Sequence, residues 1–191
     1  MGFRVSMGSG AGLAQFRRGI AGFGFLILVL PVMLWSGSVS AHDPAAARTG
    51  GEVLLTINGA IAGGGDDGAS TFDRARLEAL PRTVFRTTTI WTDGVQTFEG
   101  VSLAVLLDAV GAKGTVIRAY ALNDYHIDIP VSDAVSGGPI VAYLRNGSPM
   151  PRRDKGPLWV VYPYDSNVMY RTESVYARSI WQLDRMEILP E

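Results

Sequence analysis

The sequence predicts an α+β domain: mixed or antiparallel β-sheet with a few short helices. Short runs of β-branched and aromatic residues recur along the chain, bounded by Asn-Gly, Asn-Asp and Asp-Gly turn signals. Only two or three segments carry helix-start and helix-stop signals, all of them short, and no repeat, heptad or low-complexity tract intervenes. The chain has 191 residues, 47% of them hydrophobic, enough for one domain with an ordinary core. It contains no cysteine. That excludes disulfide frameworks, zinc ribbons, iron–sulfur clusters and thiol nucleophiles. A formal net charge of −1 supplies no surplus of cations for a phosphate backbone, so nucleic acid is not an expected partner.

Residues 1–41 read as a secretory signal peptide. Arg4, Arg17 and Arg18 precede the apolar run Gly19–Trp35, and Val39 and Ala41 occupy the small-residue positions of a cleavage site. An uncleaved membrane anchor is the competing reading, but the run is short for a span, and Pro31 and the Ser/Gly segment favour removal. Cleavage takes three of the 17 basic residues and none of the 18 acids, leaving an exported chain of net charge −4 with no further stretch of spanning length. The periplasm is the expected compartment. Residues 42–51 read as a flexible mature N-terminus, and residues 52–191 as a single domain.

Within that domain Glu52–Asn58 reads as a strand closed by Asn58-Gly59, and Gly63–Ser70 as a loop. Ser70 reads as the start of a helix over Phe72–Leu80, stopped by Pro81. Thr83–Trp91 is a strand, Thr92-Asp93-Gly94 a turn, and Val95–Phe98 a second strand. Ser102 is the expected cap of the helix LAVLLDAV, which ends at Gly111. Thr115–Leu122 and Tyr125–Pro130 form a hairpin across Asn123-Asp124, and Ser132 caps a brief helical turn. Pro139–Leu144, Leu158–Tyr162 and Ile180–Leu189 are strands, Asn146-Gly147 is a turn, and Asp165–Tyr176 is irregular.

Catalytic and metal motifs are sparse. His42 would become the mature amino terminus, where amine and imidazole can chelate copper, with His126 as a second ligand; no motif spacing links the two. Asp66 and Asp67 lie in a glycine loop without the alternating oxygens that calcium requires. No G-x-S-x-G elbow or phosphate loop occurs. We therefore assign no catalytic residue and no metal ligand. Aromatic and fork-bearing residues do gather at expected strand ends: Trp91, Asn123-Asp124-Tyr125, Trp159, Tyr162, Tyr164, Asp165, Arg171, Arg178 and Trp181. Such groups can receive a flat, hydrogen-bond-rich heterocycle. A core of aromatics with arginines on the surface fits the pattern equally well.

Four segments in order decide between these readings. FEGVSLAVLLDAVGA (Phe98–Ala112), ALNDYHIDIPVSDA (Ala121–Ala134), VAYLRNGSPMPRRDKGPLWVVYP (Val141–Pro163) and ARSIWQL (Ala177–Leu183) resemble the molybdopterin-binding domain of the sulfite oxidase family, from about Thr87 to Ile188. The resemblance implies that family's fold. It also implies a cysteine thiolate on molybdenum after the strand matching Thr83–Thr89, where this chain has Arg86-Thr87-Thr88-Thr89. A threonine hydroxyl is a poor substitute for a soft anionic sulfur. Trp181 stands where the family carries a lysine among the groups that hold the cofactor's phosphate. Short exported, cysteine-lacking relatives bind a free reduced pterin and are linked to membrane receptors of cyclic-di-GMP turnover. By that resemblance Trp91 and Trp181 stack on the ring, Asn123, Asp124 and Tyr125 contact its edge, and Arg178 and Ser179 bond its carbonyl or side chain. The expected function is thus a non-catalytic periplasmic pterin-binding regulator of such a receptor, with molybdopterin disfavoured. The alternatives are a molybdopterin-dependent oxidoreductase with a non-cysteine metal ligand and a ligand-free interaction module.

Overall fold

The computed structural model describes residues 51–65 and 67–190. The expected leader 1–41, the stretch 42–50 with His42, and Asp66 lie outside the described residues. Along the chain come β1 (Val53–Gly59), β2 (Ser70–Asp73), α1 (Arg74–Glu78), β3 (Arg82–Thr89), β4 (Thr92–Ser102), α2 (Leu103–Val110), β5 (Val116–Ala121) and β6 (His126–Pro130). A 3-10 turn at Val131–Asp133 leads to β7 (Ile140–Arg145), β8 (Ser148–Pro149) and β9 (Trp159–Val161). A second 3-10 turn at Val168–Tyr170 precedes α3 (Glu173–Arg178) and β10 (Leu183–Leu189). Among the described residues no helix is long and apolar enough to cross a membrane.

These elements make two five-stranded sheets, so the α+β class holds. The first has the order β2-β1-β10-β5-β6, parallel only between β1 and β10. The second is antiparallel, with order β3-β4-β7, and β8 and β9 both pair with the far edge of β7. β5 alternates half-buried and buried residues, as a strand with one solvated face does. β7 at Ile140–Tyr143 and all of β9 are buried on both faces, and their sequences are correspondingly unbroken apolar runs. α2 adds Leu103, Leu106, Leu107 and Val110 to the same core, each side chain contributing about 1.5–3 kcal/mol on burial. Gly111 ends α2 in the left-handed conformation at φ 59°, its N–H bonded to the carbonyls of Asp108 and Leu107.

Several local expectations are corrected. Phe72–Leu80 is not one helix: residues 70–73 pair with β1, burying Phe72, and only Arg74–Glu78 is helical. The cap is Asp73, which accepts from the Arg76 N–H at 2.8 Å, whereas Ser70 is buried and donates its hydroxyl to the Gly63 carbonyl. The turn expected at Thr92-Asp93-Gly94 falls at Ile90-Trp91 instead. There Thr89 and Thr92 pair across the hairpin with their hydroxyl oxygens 2.7 Å apart, and the Trp91 N–H donates to Thr89 Oγ1. Ser102 makes no side-chain cap bond, and Pro130, not Ser132, precedes the helical turn at Val131–Asp133. The irregular stretch Asp165–Tyr176 contains the second 3-10 turn and most of α3, capped by the Thr172 hydroxyl on the Val175 N–H. The last strand starts at Leu183, not Ile180, because Trp181 bridges Trp159 and Gln182 turns at φ 53°.

Candidate ligand-binding site

Three connections meet at one cleft of about 500 Å³. The β3–β4 hairpin brings Trp91, the β5–β6 turn brings Asn123 and Tyr125, and the passage from α3 into β10 brings Ser179 and Trp181. Glu173 and Tyr176 of α3, and Gln182, join them on the wall. Both indoles are half-buried.

The aromatic groups meet at steep angles, 66° to 87°. Trp91 lies 5.5 Å from Trp181, 5.8 Å from Trp159 and 5.8 Å from Tyr176, centroid to centroid, each in edge-to-face contact. These are the favoured quadrupole geometries. With an interplanar angle of 76°, the two cleft indoles do not present parallel faces to a ring. They form a corner in which a ring can lie on one face and meet the other's edge. Beneath the corner Trp159 is fully buried and donates its indole N–H to the Ser179 carbonyl at 3.0 Å. Lys155 places its ammonium 5.0 Å from the centroid of Trp181 and 3.5 Å from Asp154.

Three expected contacts are spoken for within the protein. The Ser179 hydroxyl is buried, accepts from Tyr164 at 2.6 Å and donates to the Val175 carbonyl at 2.8 Å. Burial pushes the Tyr164 phenol above its ordinary range, so it stays a donor at neutral pH. Asp124 does not line the cleft; its carboxylate is held by Arg185 at 2.6 Å, and its backbone takes the left-handed turn at φ 65°. Arg178 does not line it either, being paired with Asp133 at 3.0 Å, where Tyr162 also donates at 2.7 Å. Both ion pairs join residues far apart in sequence, which no local pattern discloses. Sequence reasoning misses Glu173 and Tyr176 because their segment reads as irregular, and Gln182 because it reads as part of a strand beginning at Ile180. Thr172 followed by Glu173, a capping residue before an acid in the first turn, is the signal that marks α3.

The segment Arg86–Thr89 is wired to the strand-end residue Asp165. The Thr87 hydroxyl is fully buried and accepts from the Asp165 N–H at 3.1 Å. The Asp165 carboxylate in turn accepts from the Thr88 N–H at 2.6 Å, the Thr88 hydroxyl at 2.8 Å and Arg171 at 2.7 Å. The Thr88 backbone bond, ahead of the Thr88 hydroxyl and Arg171, holds the Asp165 carboxyl below the usual carboxylate range.

Residues 75–169 match the family model described as the oxidoreductase molybdopterin binding domain. Over these residues the chain carries this family's domain. The match begins before Thr87 and ends before Ala177–Leu183, so the stretch carrying Trp181 lies beyond it. No curated relative matches the chain. The family binds molybdopterin, and the residues here can be tested against that cofactor. A molybdopterin-binding domain of this kind that ligates metal through sulfur needs a thiolate, and the chain has none. Thr87, in the corresponding segment, spends its hydroxyl on a backbone amide. Among the described residues no group of three or more His, Asp or Glu side chains is placed to hold a metal ion. No Lys or Arg lines the cleft, so its wall offers no cation to a phosphate. The donor set does not fit a thiolate-bound, phosphate-anchored metallocofactor. The aromatic corner fits the flat ring system of one.

Proposed function

We propose that the chain is an exported, non-catalytic protein that binds a free reduced pterin in this cleft. In this reading its occupancy is reported to the periplasmic domain of a membrane receptor of cyclic-di-GMP signalling. The observation that carries the reading is the indole corner: Trp91 and Trp181, brought together from opposite parts of the domain, line an open cleft of about 500 Å³. A bicyclic heterocycle on one indole gains stacking worth about 1–3 kcal/mol. Asn123 and Tyr125 stand at the rim to meet its polar edge. The cysteine-free sequence supports binding without metal chemistry, and the resemblance to exported pterin-binding relatives supports the compartment and the receptor. The test is titration with dihydroneopterin, followed through indole fluorescence. Saturable quenching is expected. Unchanged fluorescence, together with no heat of binding, removes the pterin.

The family match favours one second reading, a molybdopterin-dependent oxidoreductase whose metal ligand is not cysteine. An interaction module with its pocket filled by its own aromatics is less well supported, since the cleft is open. Metal analysis of the purified protein separates the first of these from the pterin reading.

A further inference from the structure

We propose that Glu173 sets the ligand class of the cleft: a flat heterocycle that presents N–H donors along one edge and carries no phosphate. The proposal rests on the pterin reading for the ring's shape only; the choice of edge and charge comes from the free polar groups on the wall. Several polar groups there are committed. Ser179 is saturated inside the protein. The Gln182 side-chain nitrogen donates to the carbonyls of Arg152 and Asp154, which leaves its carbonyl oxygen as an acceptor. Asn123 accepts from the Tyr125 N–H at 3.2 Å through its carbonyl oxygen, which leaves its amide nitrogen as a donor.

Glu173 differs from these. Its two cationic neighbours in sequence are taken, Arg171 by Asp165 at 2.7 Å and Arg178 by Asp133 at 3.0 Å, so neither neutralises it. Among the described residues the cleft therefore offers one carboxylate with no ion-pair partner and one amide acceptor, with the Asn123 amide, the Tyr125 and Tyr176 hydroxyls and the Trp91 and Trp181 indole N–H groups as donors around them. A carboxylate has two oxygens and accepts two parallel N–H groups, the pattern of a guanidine-like ring edge. The amide donor matches a neighbouring ring carbonyl. A 2-amino-4-oxo pyrimidine edge carries both. A phosphate placed in the same cleft would face the carboxylate with no lining cation to offset it, and like charges in a half-dry cleft repel strongly. Lys155 stands outside the lining, over the ring of Trp181, and shares the Asp154 carboxylate, at 3.5 Å, with Arg145, which holds it at 2.9 Å.

The experiment uses calorimetry on the full mature chain with three probes: dihydroneopterin, dihydroneopterin monophosphate, and aminobenzimidazole, a flat ring with a guanidine edge and no pterin. Wild type should bind dihydroneopterin about tenfold more tightly than its monophosphate. Glu173→Gln should weaken dihydroneopterin and aminobenzimidazole by about tenfold, the loss expected for a charged hydrogen bond. It should also narrow the gap to the monophosphate. Glu173 is exposed, so circular dichroism of the variant should match wild type. The proposal is overturned if the monophosphate binds as tightly as its parent, or if Glu173→Gln leaves both other probes unchanged. A monophosphate affinity that falls on Lys155→Met also overturns it, since phosphate would then have its cation. Glu173-dependent binding of aminobenzimidazole without any pterin binding removes the pterin reading and leaves this one standing. Binding of no probe removes both.

Discussion

Replacing Trp181 with alanine separates what the indole does for the fold from what it does for a ligand. Within the protein Trp181 makes edge-to-face contacts with Trp91 at 5.5 Å and Trp159 at 6.4 Å, and carries Lys155 at 5.0 Å from its centroid. Aromatic pairs of this kind contribute about 0.5–1.5 kcal/mol each, and an exposed cation–π contact about 0.5–1 kcal/mol. Trp181→Ala should therefore lower the unfolding free energy by roughly 1.5–4 kcal/mol, which leaves a domain of ordinary stability folded at room temperature. The ligand loses a stacking face worth about 1–3 kcal/mol, or roughly five- to a hundredfold in Kd. Calorimetry is the right assay, because it does not depend on the fluorophore that the substitution removes. Urea unfolding on the same samples measures the stability change. Trp181→Phe, which keeps a face but less area, should fall between wild type and alanine. A Trp181→Ala protein with native circular dichroism and unchanged Kd for dihydroneopterin would refute the stacking argument and take Trp181 out of the site.

Other outcomes follow from the hydrogen-bond networks. Ser179→Ala leaves the buried Tyr164 hydroxyl without its acceptor and should cost about 1–3 kcal/mol in urea unfolding, with ligand affinity little changed; a large affinity loss at native stability would make Ser179 a ligand contact after all. Asp165→Asn removes the charge that gathers Thr88 and Arg171 and should destabilise by about 1–2 kcal/mol at neutral pH. Because the folded-state carboxyl is held below its unfolded value, that contribution is complete above the unfolded pKa of about 4 and is lost as pH falls through the folded value. The stability gap between wild type and Asp165→Asn should hence close in strong acid; a gap constant down to low pH would contradict it. Trp159→Phe deletes the indole N–H that bonds the Ser179 carbonyl and should cost about 2–4 kcal/mol from the lost area and the orphaned acceptor, read as a lower midpoint in thermal unfolding.

What the chain discloses locally is what the structure keeps. Helix α2 is legible because its apolar positions repeat and Gly111 stops it; the β5–β6 hairpin is legible because Asn123-Asp124 separates two β-branched runs; Asn146-Gly147 turns β7 into β8 with both residues at positive φ, 53° and 75°. What depends on distant partners is hidden. Phe72 reads as helical from its neighbours, yet pairing with β1 claims it as strand. Asp124 and Arg178 read as ligand contacts by the family resemblance, but Arg185 and Asp133, distant in sequence, pair with them in the fold. Glu173 carries no sequence signal for a ligand contact; only the fold sets it on the cleft wall, where no ion pair among the described residues claims it. The indole corner lies between these cases: both tryptophans are visible in the sequence, but only the hairpin tip and the left-handed step at Gln182 bring them together.

The most direct measurement is joint mass spectrometry and metal analysis of the mature chain, purified from a host that makes both reduced pterins and the molybdenum cofactor. The account predicts a reduced pterin released at close to one per chain and no molybdenum above background. Near-stoichiometric molybdenum accompanied by molybdopterin would contradict it.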